Sequence, residues 1–308
     1  MRVLVTGGAG FIGSHVVDHL VSAGHEVVAF DDLSSGKREN VNAKARLVVG
    51  DIRDAAAVEK AFAELKPDAV SHQAAQISVS VSTREPERDA ETNVIGSLRV
   101  MRAAAKHGVK RFVFASTGGA IYGDVAEGAA DLDRAPAPMS PYACSKFAVE
   151  NYLRWARAEL GLASTILRYA NVYGPRQDPH GEAGVVAIFS QRVLAGQGVQ
   201  INARKTEGDD GCVRDYVFVD DVARVNARAL AGEIERPVVN VASGVPTTTR
   251  ELLDGVEKAV GRTVPRAFGL RRAGDVERSV LVPTLDAMGS VTALDGGLVQ
   301  TVRWFAAR

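Results

Sequence analysis

Residues 6–13, Thr-Gly-Gly-Ala-Gly-Phe-Ile-Gly, restrict the possible folds of this chain more than any other stretch. They follow a run of β-formers, Val3–Thr6, and open a segment of helical periodicity, Ile12–Ala23. Gly7, Gly10 and Gly13 allow a tight turn, let backbone N–H groups approach a pyrophosphate, and let helix and strand pack closely. The N-terminus of the helix adds the positive end of its dipole. A strand, this loop and a helix in that order form the dinucleotide-binding fingerprint, with Phe11 and Ile12 completing the loop. Asp31 stands eighteen residues after Gly13, at the end of the next β-rich run. A carboxylate there binds an adenosine ribose and repels a 2′-phosphate, which selects NAD over NADP, although Lys37 and Arg38 lie nearby. Asp51, at the end of a third strand, either reaches the adenine or makes an ordinary strand-end turn.

The first third of the chain continues the same rhythm. Glu26–Phe30, Arg46–Gly50, Ala69–Ser71 and Arg111–Ala115 read as strands, and Asp54–Leu65 and Glu91–His107 as helices. A long helical stretch, Ser140 to Leu160, leads into a strand at Ala163–Arg168. Such alternation predicts parallel strands joined by crossover helices, hence an α/β, Rossmann-type doubly wound sheet. After Arg168 the rhythm breaks. Asn171–Gly184 reads as a long functional loop, and Val185–Ala195, Val222–Ala231 and Thr249–Val260 as helices interleaved with short strands such as Val238–Val241. We therefore expect a dinucleotide-binding domain over residues 1–170 and a smaller α/β substrate domain over 171–308, with some segments interleaved.

Lys plus Arg and Asp plus Glu both total 37, so no global charge draws the chain to nucleic acid or an acidic membrane, and an anionic substrate needs local arginines. The two cysteines, Cys144 and Cys212, have neither disulfide-framework nor metal-ligand spacing. No apolar run of about 18 residues and no signal-peptide core is present, so the expected location is the cytoplasm. The histidines form no metal set. We read His72 as a packing residue at a strand end, and Cys144 as a small packing residue on the long helix.

Tyr142 and Lys146 are four apart on that helix and share a face. A phenol with a pKa of about 10 is a poor base at neutral pH. A neighbouring ammonium, joined by the positive ring of an oxidised nicotinamide, favours the phenolate. Such a pair removes a proton from an alcohol while hydride leaves the same carbon. Ser116 and Thr117 close the preceding strand, where a hydroxyl can bond the reacting oxygen. The residues alone leave open which of the two faces the substrate, and we favour Thr117.

With both motifs in place, the chain resembles the extended short-chain dehydrogenase/reductase family, specifically its nucleotide-sugar epimerases and dehydratases. The likeness runs from Met1 to about Asp275. It includes Asp-Asp-Leu-Ser-Ser-Gly (31–36), Gly-Asp-Ile-Arg (50–53), His-Gln-Ala-Ala-Gln (72–76), Asn-Val-Ile-Gly (93–96) and Ser-Pro-Tyr-Ala-Cys-Ser-Lys (140–146). Leu-Arg-Tyr-Ala-Asn-Val-Tyr-Gly-Pro-Arg (167–176) and Val-Arg-Asp-Tyr-Val-Phe-Val-Asp-Asp-Val (213–222) extend it. The resemblance implies NAD contacts from Asp31, Asp32, Ser35, Gly36, Asp51, Ile52, Gln73, Ala74, Ala75, Gln76, Asn93, Tyr142, Lys146 and Tyr169. It also implies substrate contacts from Thr117, Tyr142 and Asn171, and from Arg214 and Arg272 to a UDP diphosphate. Family members commonly pair as homodimers through the helices that here span about Glu91–His107 and Ser145–Leu160.

Departures from relatives point to the reaction. In the family's sugar 4,6-dehydratases an Asp-Glu pair follows the active-site threonine, whereas here Thr117 is followed by Gly118 and Gly119. The glutamate of the decarboxylating members is also absent. A site holding only Tyr, Lys and hydroxyls oxidises an alcohol and reduces it again, which is epimerisation at C4 through a 4-keto sugar. Thr206–Tyr216 resembles the corresponding loop of UDP-glucose 4-epimerases, so the expected substrate is a UDP-hexose. Ser279 stands where epimerases restricted to plain hexoses resemble one another in carrying a tyrosine, and leaves room for N-acetylated sugars. The rival readings are a UDP-uronate 4-epimerase, an NAD(P)-dependent nucleotide-sugar reductase and a non-catalytic dinucleotide sensor.

Overall fold

A computed structural model of the chain describes residues 1–179, 184–271 and 276–308. The chain divides into two compact units, the first made of Met1–Thr117, Pro138–Arg168 and Val222–Val239. The second comprises Gly118–Ala137, Tyr169–Asp221 and Asn240–Arg308.

The central sheet is built from β1 (Arg2–Thr6), β2 (Glu26–Asp31), β3 (Arg46–Val49), β4 (Ala69–His72), β5 (Arg111–Thr117), β6 (Ser164–Tyr169) and, far along the chain, β10 (Val238–Val241). Its seven strands run in the order β10-β6-β5-β4-β1-β2-β3, so the order reverses between β1 and β4. In open α/β sheets the crevice at such a reversal is where ligands bind. The crossovers are α1 (Phe11–Ser22), α2 (Ala55–Leu65), the short α3 (Val79–Arg84) and α4 (Pro86–Ala90), α5 (Ser97–Lys106), α7 (Pro141–Leu160) and α9 (Val219–Ala231). Strand interiors such as Leu4, Val28, Val70, Phe112 and Phe114 are buried against apolar faces of α2, α5 and α7, including Phe62, Met101, Val149 and Leu153. Strands covered on both faces carry near-continuous apolar runs, and that is the pattern this half of the chain displays.

Helix α7 has clear start and stop signals. Ser140 caps it by accepting from the Ala143 N–H, Pro141 sits in the first turn, and Gly161 takes the left-handed conformation at its end (φ 65°). The helix expected over Glu91–His107 differs. Residues 86–106 are helical throughout, but Glu91–Gly96 forms a π turn between α4 and α5. Gly96 there lies so close to Ile52 that a Cβ would sit 2.8 Å from its Cδ1. A π turn departs from 3.6 residues per turn, so the spacing of apolar residues does not mark it, and such insertions recur at functional sites.

The second unit carries α6 (Gly118–Ile121), β7 (Asn171–Tyr173), α8 (Val185–Leu194), β8 (Val199–Asn202) and β9 (Val213–Phe218). It continues with β11 (Pro246–Thr248), α10 (Thr249–Val260), β12 (Arg266–Gly269), β13 (Arg278–Ser279), α11 (Leu285–Met288) and α12 (Leu294–Ala306). Strand β9 pairs with β11 on one side, and with β13 and β7 at successive registers. Strands β8 and β12 form a separate parallel pair. Phe189, Tyr216, Phe218, Leu252, Val256, Leu298 and Val302 belong to its core. The stretch expected as a loop from Asn171 therefore begins as a strand, and Val238–Val241 is the seventh strand of the central sheet. Among the described residues no helix is long and apolar enough to cross a membrane.

Candidate active site

The glycine loop is a close-packed object. Gly7 adopts φ +67°, and a Cβ on it would meet the Ala74 backbone nitrogen at 2.7 Å. A Cβ on Gly13 would overlap the Gly7 carbonyl oxygen. Around Gly10 the only near atom is that same oxygen, at 3.2 Å, so the loop stays open on that side. Phe11 and Ile12 begin α1 behind it. Asp31, at the end of β2, is 6% exposed, and its Oδ2 accepts from the Ala9 N–H at 2.9 Å while Oδ1 accepts from Leu33. Burial holds its carboxyl above the usual aspartate value, opposed by those backbone donors. With the Gly10 N–H as a third backbone donor, the carboxylate still has lone-pair capacity for a ribose hydroxyl. Gly36 closes the turn: a Cβ there would sit 2.6 Å from Asp31 Oδ1. Asp32 and Ser35 are exposed beside it, with Asp32 accepting from Ser34. This open loop with a buried carboxylate at the strand end fits a dinucleotide.

Other predicted cofactor residues are engaged with neighbours. Asp51 is closed onto Arg53, whose Nη2 donates to Oδ2 at 2.6 Å, and that bond holds its carboxyl below the usual range. Ile52 is buried under Gly96. Gln73 Nε2 donates to Ser71 and Asn226, and the Ala74 N–H to Thr6 Oγ1. Ala75 is half-buried beside it. Asn93 spends both amide hydrogens, on the Gln76 carbonyl at 2.9 Å and on Asp89 Oδ1 at 3.0 Å, while its oxygen accepts from the Gln76 N–H. The Gln76 side chain is likewise taken by Ser78 and Asp89. Asn93 and Gln76 thus shape the loop after β4.

Thr117, Tyr142 and Lys146 come together in the first unit. Period-2 alternation turns successive side chains of β5 to opposite faces. Ser116 Oγ donates to Glu150 Oε1 at 2.6 Å, away from Tyr142, whereas the Thr117 hydroxyl hydrogen-bonds Tyr142. Ser116 thus faces the buried Glu150 carboxylate, and Thr117 is the hydroxyl on the Tyr142 side of the strand. Lys146 is 4% exposed; its Nζ donates to the Ala115 carbonyl at 2.9 Å and lies 5.0 Å from the Phe114 ring centroid and 5.9 Å from that of Tyr142. Burial pushes its ammonium down to about 8, with Asp89 opposing. The Tyr142 phenol stands beside this ammonium. Burial raises that phenol, the Asp89 charge raises it further, and the bond to Thr117 opposes both.

Reading residues in order does not reveal the groups behind this trio. Glu150 and Arg168, both buried, pair through Nη2 and Oε2 at 2.6 Å. Lys146 to Glu150 is an i,i+4 step, a signal that the two share a face. His72 is held between Thr6 and Ser97 through Nδ1 and Nε2 at 2.6 and 2.8 Å, in keeping with a packing role. Cys144 is exposed rather than packed, because position 144 falls on the outer face of α7 with Asn151 and Trp155.

In the second unit Tyr169 is 5% exposed at the end of β6. Asn171 opens β7 and donates to the Asp215 carbonyl. Arg214 lies on β9 between Thr247 and Ser279 on the flanking strands. It is half-buried, donates to the Val213 carbonyl, and has no carboxylate partner among the described residues, which suits an anionic ligand. Ser279 is buried and donates to the Gly119 carbonyl at 3.1 Å. Gly118 is crowded: a Cβ on it would overlap Leu281 Cδ1. Leu281 thus fills the space that an acid at position 118 would need. Arg272 lies outside the described residues.

Known proteins match this arrangement along its whole length. A UDP-glucose 4-epimerase of Mycolicibacterium smegmatis is 46% identical over 99% of this chain and 98% of its own. The crystal structure of Thermus thermophilus UDP-glucose 4-epimerase in complex with NAD superposes with a TM-score of 0.95 at 51% identity, covering 99% of both chains. That of the Thermotoga maritima UDP-glucose 4-epimerase with UDP-glucose gives 0.92 at 46% identity, covering 99% of this chain and 98% of that one. The NAD dependent epimerase/dehydratase family matches residues 3–242. The glycine loop, the Tyr142–Lys146 helix and these likenesses agree, and the chain belongs to the NAD dependent epimerase/dehydratase family.

Proposed function

We propose that the protein is an NAD-dependent UDP-sugar 4-epimerase that interconverts UDP-galactose and UDP-glucose through a 4-keto intermediate. The observation that carries this reading is a Thr117–Tyr142–Lys146 centre followed by Gly118, with Leu281 packed where an eliminating acid would stand.

The glycine loop and Asp31 hold the cofactor, which when bound supplies a reversible hydride acceptor for C4. Thr117 shares a hydrogen bond with the sugar O4 and Tyr142. Tyr142 takes the O4 proton as C4 is oxidised and returns it when the keto group is reduced from the other face. Lys146, held charged between Ala115 and the aromatic rings of Phe114 and Tyr142, offsets the charge that develops on the phenol. Arg214 binds the diphosphate, where guanidinium–phosphate pairing is strong, and Asn171 fixes the sugar or the diphosphate. With a serine at 279 rather than a bulky side chain, N-acetylated UDP-hexoses enter as well.

The free cysteines Cys144 and Cys212 support a cytoplasmic location, where thiols stay reduced. Tyr152 and Trp155 on α7 and Ile95 in the π turn are exposed, which supports a homodimer formed through these helices.

The test is to add UDP-galactose to purified protein without reductant and follow UDP-glucose. Interconversion without net consumption of NAD is expected. Its absence with cofactor bound overturns the epimerase reading, and a requirement for NADPH favours a reductase. No turnover of UDP-N-acetylglucosamine alongside active UDP-galactose removes the N-acetyl extension alone.

A further inference from the structure

Asp89, at the end of α4 just ahead of the π turn, is a fully buried carboxylate that the mechanism above does not use. Its Oδ1 accepts from Gln76 Nε2 at 2.8 Å and Asn93 Nδ2 at 3.0 Å, and its Oδ2 accepts from Ser145 Oγ at 2.6 Å. All three donors are neutral, and among the described residues no Lys, Arg or His forms an ion pair with it. A carboxylate withdrawn from water with neutral donors alone keeps a long-ranged field, because little around it screens the charge. That carboxylate is bonded to Ser145, the residue before Lys146 and one helical turn after Tyr142.

We propose that Asp89 is a positioning residue that sets the charge balance of the Tyr142–Lys146 pair from a neighbouring helix, anchored to it through Ser145. The proposal rests on the epimerase reading for the chemistry it tunes. The charge of Asp89 raises both the Tyr142 phenol and the Lys146 ammonium. Both effects protect one working state: Lys146 stays charged despite its burial, and Tyr142 keeps its proton until substrate and cofactor draw it off.

Other charged groups nearby are neutralised or remote. His72 on β4 is held down to about 3 by burial, and Lys146 adds to this, so it is neutral. Glu150, a turn beyond Lys146 on α7, is paired with Arg168. On α3 and α4, Arg84 and Glu87 are exposed, and Arg88 pairs with Glu85. Arg102 on α5 is exposed, while Arg99 and Lys106 pair with Glu91 and Glu59. Asp89 is the side chain whose charge acts on both members of the pair.

The substitution D89N tests this, because the amide oxygen still accepts from Gln76 and Asn93 and the amide nitrogen donates to Ser145 Oγ. Shape and hydrogen bonds survive while the charge goes. In the pH profile of kcat/KM for UDP-galactose, both limbs are expected to move to lower pH by about one unit. D89E should restore them. An ultraviolet titration of tyrosinate in the NAD-loaded protein, with Y142F as the blank, should show the Tyr142 midpoint moving the same way. That titration needs no turnover, so an inactive wild-type protein sinks the epimerase reading and still leaves Asp89 decided. D89S is the second neutral variant should D89N not fold. Limbs and midpoint that stay in place in the neutral variant, whatever happens to the maximal rate, overturn the inference and leave Asp89 a purely structural residue.

Discussion

Ser116 Oγ donates its proton to Glu150 Oε1 at 2.6 Å, and this bond leaves Thr117, on the opposite face of β5, as the hydroxyl that meets Tyr142. The two neighbours should therefore separate cleanly on mutation. T117A is expected to lower kcat by about 10²-fold, the scale of losing a positioned group at the reacting oxygen, with the fold intact. S116A should keep kcat within about twofold and destabilise the protein by about 1.5–3 kcal/mol, since it removes a hydrogen bond to a charged acceptor. Steady-state kinetics and denaturant melts on the pair check this; the reverse pattern would return the role to Ser116.

Glu150 and Arg168 tie α7 to β6 from within the core. Removing one partner strands the other charge out of water, so E150A and R168A should each cost about 3–5 kcal/mol. Replacing both with apolar residues of similar size, E150L with R168M, should recover much of that loss. Equilibrium unfolding of the four proteins decides it, and single variants as stable as wild type would show that the pair contributes nothing to folding.

Gly118 bears on reaction choice. Placing an aspartate there, as the family's 4,6-dehydratases do after their threonine, drives its Cβ into Leu281 Cδ1. G118D should thus lose about 1–3 kcal/mol by overpacking and gain no dehydratase activity. The double variant G118D/L281A should regain stability, which a thermal melt of both proteins would show.

His72 gives a pH dependence of stability. Ser97 Oγ donates to the Asn93 carbonyl, so it accepts from His72 Nε2–H, and Nδ1 accepts from Thr6. Burial and the charge of Lys146 bring the imidazole from its ordinary 6.5 to about 3. The neutral ring is favoured in the folded state and the unfolded chain takes the proton first. This contribution is therefore whole above pH 6.5 and is lost as pH falls toward 3, at about 1.4 kcal/mol per unit. Comparing the midpoint-against-pH curves of wild type and H72Q isolates it: the wild-type curve should fall more steeply below pH 6.5.

Much of the fold and the site is legible from residues alone. Val3–Thr6 and the glycines announce a strand turning into a helix, and apolar runs such as Arg111–Ala115 announce buried parallel strands. Tyr142 and Lys146 can be placed together because helical spacing is a local property. What stays hidden is non-local. Nothing in Glu-Pro-Glu-Arg-Asp marks Asp89 as buried, since a charged stretch ordinarily faces water and only Gln76, Asn93 and Ser145 show otherwise. The π turn escapes because one extra residue per turn leaves composition unchanged. In the second unit β9 is paired by strands drawn from three parts of the chain, all of them only two or three residues long, too short to signal themselves.

The place of β10 at the end of the central sheet has a consequence during synthesis. Its residues, Val238–Val241, leave the ribosome long after β6 at Ser164–Tyr169, with β7, β8 and β9 emerging in between. Until β10 arrives, the growing chain offers β6 as an open, apolar edge to any passing strand. A pause or truncation within that interval should leave a sticky nascent chain, so translation speed and chaperone cover over these codons matter more for yield than those spanning the glycine loop.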